Sequence, residues 1–224
     1  MPSLSIIATP IGNLEDISLR ALRVLREADA LLCEDTRVAG KLLARYEIKK
    51  PLISYHSHSK LAKVEKIFEM LSDGKNLALV SDAGTPGISD PGSLLVAQVR
   101  EKFEEKVKIE PIPGPSALAT ALSAAGVPAS EFLFLGFLPH KKGRETLFKE
   151  IALSKRAAVF YESPHRILKT LESLSKYTPE KKITLARELT KIHEEFLAGT
   201  AQELLAYLGK NPEKIRGEFV VIVP

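Results

Sequence analysis

The stretch Ser81-Asp-Ala-Gly-Thr-Pro-Gly-Ile-Ser-Asp-Pro-Gly92 decides the fold. It follows an apolar run at 77–80 and precedes a helical pattern over 91–103. In parallel α/β sheets, the loops at the carboxyl ends of strands form the ligand crevice. Three glycines let backbone amides approach a ligand closely, and two prolines hold the loop in shape. A tight turn needs fewer of either. Asp90 reads as a helix N-cap with Pro91 at the first helical position.

Outward from this loop, short apolar runs alternate with amphipathic stretches. Strand-like segments at 4–8, 30–33, 52–55, 77–81 and 107–112 enclose helical ones at 18–28, 37–46, 60–72 and 91–103. This β-α order predicts a mostly parallel sheet with helices on its faces. Pro111-Ile-Pro-Gly-Pro115 interrupts it, since so many prolines neither continue a strand nor sit inside a helix. Beyond it come a helix at 116–125, a strand at 132–135, a helix at 144–153, a strand at 157–161, a helix at 165–176 and a strand at 182–187. Strands at 195–199 and 218–223 flank a last helix at 201–208. The expected class is α/β, with two domains, 1–113 and 114–224, carrying mostly parallel or mixed sheets and a cleft between them.

With 45% hydrophobic and 27% charged residues, the composition is that of an ordinary globular protein. No apolar run approaches the length of a membrane span, and residues 1–7 lack the basic and apolar regions of a signal peptide. Cys33 is the sole cysteine, which excludes an internal disulfide and fits a reducing cytoplasm. It ends an apolar strand and reads as core. The net charge of +4 is a weak argument for a polyanionic partner. Its distribution says more: Lys141, Lys142 and Arg144 surround Gly143, and His56, His58 and Lys60 form a second basic stretch. His56 and His58 have strand spacing, but without converging ligands they suggest no metal.

The loop Thr9-Pro-Ile-Gly-Asn13, after the first strand, lacks the G-x-G-x-x-G dinucleotide fingerprint, and the chain has no P-loop. Gly114-Pro-Ser-Ala117 opens an alanine-rich helix whose first N–H groups are available to an acceptor. Close helix packing accounts for the alanines, though not for Gly114 and Ser116.

Eight segments carry a resemblance: Ala8-Thr-Pro-Ile-Gly-Asn-Leu-Glu-Asp16, Cys33-Glu-Asp-Thr-Arg37, the 81–92 loop, Pro113-Gly-Pro-Ser-Ala117, Gly136-Phe-Leu-Pro139, Phe160-Tyr-Glu-Ser-Pro-His-Arg166, Ala186-Arg-Glu-Leu-Thr-Lys191 and Gly217-Glu-Phe-Val-Val221. In this order they resemble the tetrapyrrole methylase superfamily and, within it, the ribosomal RNA small subunit methyltransferase I family, the 16S rRNA cytidine-2′-O-methyltransferases. The resemblance implies a homodimer with S-adenosylmethionine in the interdomain cleft. It places the cofactor against Thr9, Pro10, Ile11, Asp82, Gly84, Thr85, Pro86, Ile88, Ser116 and Ala117, with Tyr161 and Glu162 lining the adenosine. Many superfamily members have Gly-Asp-Pro where this chain reads Gly84-Thr85-Pro86, a departure that agrees with the ribosomal branch.

The implied reaction is in-line methyl transfer to a ribose hydroxyl of a cytidine in the decoding region. The implied partner is 16S rRNA within the 30S subunit. A ribose hydroxyl is a poor nucleophile, so a general base helps. Glu34, Asp35 and Asp82 are the candidates, and Asp90 is assigned to capping. Arg37, Lys141, Lys142, Arg144, His165 and Arg166 are candidate RNA contacts, since guanidinium and ammonium groups pair with phosphate. Arg187 stays open between phosphate and an ion pair, and Ser163-Pro164 reads as a helix cap. Two other readings stand: a small-molecule tetrapyrrole methylase and a non-catalytic RNA-binding assembly factor.

Overall fold

A computed structural model describes residues 1–56, 61–90 and 92–224. The chain forms two compact units, Met1–Ser116 and Ala117–Pro224. In the first, β1 (Ser3–Ile7), α1 (Leu19–Glu27), β2 (Ala30–Cys33), α2 (Thr36–Arg45), β3 (Leu52–Ser54), α3 (Leu61–Ser72), β4 (Leu77–Leu79), α4 (Gly92–Phe103) and β5 (Lys108–Ile112) follow one another. The strands lie in the order β3-β2-β4-β1-β5, every pair parallel.

Alternate side chains of these strands enter two cores, which is why their sequences read as unbroken apolar runs. Leu31, Cys33, Ala78 and Ile112 pack with Ala21, Leu25 and Leu42 from α1 and α2. Leu4, Leu32, Leu77 and Leu79 pack instead with Ile67, Leu71, Leu95 and Val99 from α3 and α4. Consequently β1 leads to a helix on one face, while its neighbour β4 leads to a helix on the other. The chain thus leaves these neighbouring strands toward opposite faces, the topological switch at which such sheets bind ligands.

The second unit contains α5 (Ala117–Ala124), β6 (Phe132–Phe137), α6 (Arg144–Leu153), β7 (Ala157–Glu162), α7 (Ile167–Tyr177), β8 (Ile183–Arg187), β9 (Glu195–Gly199), α8 (Ala201–Lys210) and β10 (Phe219–Val223). Its sheet runs β6-β7-β10-β8-β9. Only β6 and β7 are parallel; the remaining pairs are antiparallel, so the sheet is mixed. Phe148, Phe160, Leu171, Leu185, Leu204 and Val221 form its core under α6, α7 and α8. Among the described residues, no helix is long and apolar enough to cross a membrane.

One local expectation needs correction. Ser163 is not a side-chain cap: α7 begins at Ile167, and Ser163 contributes its carbonyl to the N–H groups of Arg166 and Ile167. Its own N–H is taken by the Glu162 carboxylate at 2.9 Å. Asp90 caps as expected, accepting from the Gly87 and Gly92 N–H groups at 2.7 and 2.8 Å. Pro91, His58 and Lys60 lie outside the described residues, and with them the readings placed on these positions.

Candidate functional site

The loops after β1, β4 and β5 meet because these three strands are neighbours in the sheet. Thr9 and Gly84 exchange both backbone hydrogen bonds, at 2.9 and 3.0 Å, as a two-residue antiparallel bridge. The buried Thr9 hydroxyl reaches the Ser81 carbonyl at 3.4 Å, and the Thr85 hydroxyl donates to the Pro115 carbonyl at 3.0 Å. Gly84 needs its left-handed backbone, φ +80°, and a Cβ there would lie 3.4 Å from Ile11 Cγ2. Gly114 is more crowded: an added Cβ would meet Ala8 Cβ at 3.1 Å and its carbonyl at 3.3 Å. Thr9, Pro10, Gly84 and Pro86 are thus buried framework, while Ile11, Thr85, Ser116 and Ala117 are half-exposed and Ile88 is exposed.

The carboxylates at the ends of β2 and β4 have different surroundings. Asp35 caps α2, accepting the Arg37 N–H at 2.8 Å, and is also bound by the Arg37 guanidinium at 2.6 Å. Those two bonds hold its carboxyl down at about 2. Asp82 accepts the Asp35 N–H at 3.1 Å. Glu34 has no hydrogen-bond or ion-pair partner among the described residues. Burial first, then the negative charges of Asp82 and Asp90, push its carboxyl above the usual carboxylate range. The same physics raises buried Cys33 to about 11, which leaves it a thiol in the core.

In the second unit, Tyr161 is half-buried, edge-on to Phe134 and Phe137 with ring centroids at 5.1 and 5.4 Å. Burial raises its phenol above the ordinary value. Glu162 is 1% exposed, and its carboxylate is bound by Thr170, Ser163, Arg166 and Arg144. The basic stretch therefore divides. Lys141, Lys142 and His165 stand exposed, whereas Arg144 is buried and its guanidinium is engaged by Thr170 and the Pro139 carbonyl. Neither the burial of Arg144 nor its tie to Glu162 has a local sequence signal, because the partners come from two other elements. Arg37 is bound to Asp35 yet 86% exposed at its side chain. Arg187 is buried and pairs with Glu195 at 3.2 Å, which favours the ion-pair reading for it. Among the described residues, no group of histidine, cysteine or carboxylate side chains is placed to hold a metal.

The parallel first sheet and the mixed second sheet make a two-sheet α/β fold that solved methyltransferases share. Residues 3–205 match the family model of Tetrapyrrole (Corrin/Porphyrin) Methylases. The fold is shared with the crystal structure of the methyltransferase CobJ, at TM-score 0.71 and 20% identity over 100% of this chain and 94% of that one. A uroporphyrin-III C-methyl transferase from Thermus thermophilus, complexed with S-adenyl homocysteine, superposes at TM-score 0.66 and 15% identity over 99% and 96% of the two chains.

Two curated relatives are much nearer in sequence. The ribosomal RNA small subunit methyltransferase I of Thermotoga maritima is 44% identical over 223 residues, 100% of this chain and 98% of the relative. That of Haemophilus influenzae is 46% identical over 98% of this chain and 77% of the relative. The chain belongs to the tetrapyrrole methylase family, in its ribosomal RNA small subunit methyltransferase I branch.

Proposed function

We propose that the protein transfers a methyl group from S-adenosylmethionine to the ribose 2′-hydroxyl of a cytidine in 16S rRNA, within the 30S subunit. The observation that carries this reading is the 44% identity, over the whole of this chain and nearly all of the relative, to a ribosomal RNA small subunit methyltransferase I. On this reading it works in the cytoplasm, as a homodimer.

The residues present fit the cofactor. Ile11 lies beside the bridge at Gly84, and Ile88 is exposed on the same loop as Gly84, apolar surface suited to a nucleoside. Glu34, Asp82 and Asp90 supply negative charge that favours a sulfonium. When bound, S-adenosylmethionine supplies an electrophilic methyl group. Thr9, Pro10, Ile11, Asp82, Gly84, Thr85, Pro86, Ile88 and Ser116 are the residues to hold it. Glu34 takes the proton from the ribose hydroxyl, since Asp35 is neutralised by Arg37 and one Asp82 oxygen is already bonded. Arg37, Lys141, Lys142 and His165 take backbone phosphates.

The test is transfer of labelled methyl from S-adenosylmethionine to isolated 30S subunits lacking the mark, followed by nucleoside analysis. Labelled 2′-O-methylcytidine is the expected product. Absence of transfer by protein that binds the cofactor, onto properly assembled unmethylated subunits, overturns the reading and turns attention to small-molecule acceptors.

A further inference from the structure

The segment between β6 and α6 is fixed at both ends and exposed in the middle. Leu138 is buried in the core and Arg144 opens α6 from within the protein, while Pro139, His140, Lys141, Lys142 and Gly143 are exposed between them. Two guanidinium groups hold it. Arg166 donates to the Leu138 carbonyl at 2.6 Å, and Arg144 donates to the next one, that of Pro139, at 3.1 Å.

Both guanidinium groups lead back to one carboxylate. Glu162 Oε1 is 3.1 Å from Arg166 Nε and accepts the Ser163 N–H. Its Oε2 accepts the Thr170 hydroxyl at 2.6 Å and lies 3.6 Å from Arg144. Thr170 closes the circuit, its hydroxyl oxygen accepting from Arg144 at 2.6 Å. A planar fork can grip a carboxylate side and a carbonyl side at once, which an ammonium does far less well. The cluster holds two cations and one anion, so an excess positive charge sits under a segment that already carries Lys141 and Lys142.

We infer that Glu162 is a positioning residue, whose buried carboxylate anchors Arg144 and Arg166 so that segment 139–143 presents Lys141 and Lys142 to RNA backbone phosphates. The inference rests on the rRNA reading above and changes the part played by three residues in it. Arg144, Arg166 and Glu162 shape the contact surface from beneath, while the two lysines touch the ligand. A segment held in one conformation loses less entropy on binding, so two ordinary lysines gain phosphate affinity.

The test uses the full chain carrying Glu162→Gln and, separately, Arg144→Lys, assayed on 30S subunits lacking the methyl mark. Either folded variant suffices, and the lysine variant keeps the buried charge should the glutamine variant not fold. Expected are a KM for subunits raised about tenfold, kcat within about threefold, and a salt dependence of binding shallower by about one contact. S-adenosylmethionine affinity is expected to hold, and amide exchange to quicken within 139–143. Faster exchange with unaltered KM and salt dependence overturns the proposal. So does weakened cofactor binding with unaltered KM, which would place Glu162 at the adenosine. Wild-type protein that neither binds nor methylates subunits overturns the rRNA reading and this proposal together. The exchange difference still reports in that case whether the clamp holds the segment.

Discussion

Glu34 and Asp35 are adjacent in sequence and both lie at the end of β2, yet they have opposite chemistry. Asp35 faces a guanidinium and its own helix amides; Glu34 faces burial and like charge. A proton acceptor works best when its pKa approaches the working pH, and Glu34 is shifted that way. Glu34→Gln is expected to lower kcat by roughly 10²–10⁴-fold while leaving S-adenosylmethionine affinity near wild type. The wild-type rate should climb as pH rises through the raised Glu34 value, and the variant should lose that limb. Stability moves the other way. A carboxyl whose folded value exceeds its unfolded one contributes stability below the unfolded value and loses it as pH rises through the folded one. Replacing it with glutamine should therefore stabilise the fold near neutral pH and confer no gain in acid. Melting curves across pH check this, and a variant less stable at neutral pH contradicts it. The sequence names both carboxylates as candidates, but only the pairing of Asp35 with Arg37 separates them.

At the scale of elements, the bridge between the loops after β1 and β4 depends on Gly84 adopting φ +80°. Gly84→Ala should cost about 1–2 kcal/mol from backbone strain alone. It should also weaken cofactor binding, because the strained backbone lies in the bridge to Thr9, beside Ile11. Gly74→Ala is the control: φ is +83°, with open space around the added carbon. Equal loss of stability in both variants, with affinity lost only at Gly84, is the expected result in chemical denaturation and cofactor titration. Equal affinity in the two would separate the bridge from the binding site. This loop was legible because glycine and proline write their backbone preferences directly into the sequence. The antiparallel half of the second sheet was less so. Strands β8 and β9 are joined by 188–194, where Glu188 and Thr190 occupy left-handed conformations without glycine. A turn built from residues that rarely adopt that backbone leaves little trace. The Arg144, Glu162 and Arg166 cluster was hidden for a related reason, since charged residues scattered over a helix start, a strand end and a loop read as surface. Glu162→Ala leaves two largely buried guanidinium groups without their carboxylate and should cost about 3–5 kcal/mol, measured by denaturant unfolding.

On the scale of the whole molecule, the edge of the second sheet bears on assembly. Strand β6 is the outermost strand beside β7, and Phe132, Leu133 and Phe137 are 38%, 39% and 56% exposed. Successive residues of a strand point to opposite faces, so Phe132 and Leu133 leave apolar surface on both sides of this edge. Soluble proteins protect such edges with charge, proline or bulges, or cover them with another chain. Gly136, at φ +58°, breaks the register between Phe134 and Phe137, but the first half of β6 carries no lysine or proline. A second copy would cover this edge, as the proposed homodimer requires. Phe132→Glu combined with Leu133→Lys places charge on both faces while leaving Phe137 against Tyr161. Light scattering after gel filtration should give twice the chain mass for the wild type and the single-chain mass for the variant. A wild-type monomer refutes the dimer. A variant that remains dimeric with unchanged affinity moves the interface away from β6, since opposed burial of two charged edges would cost several kcal/mol.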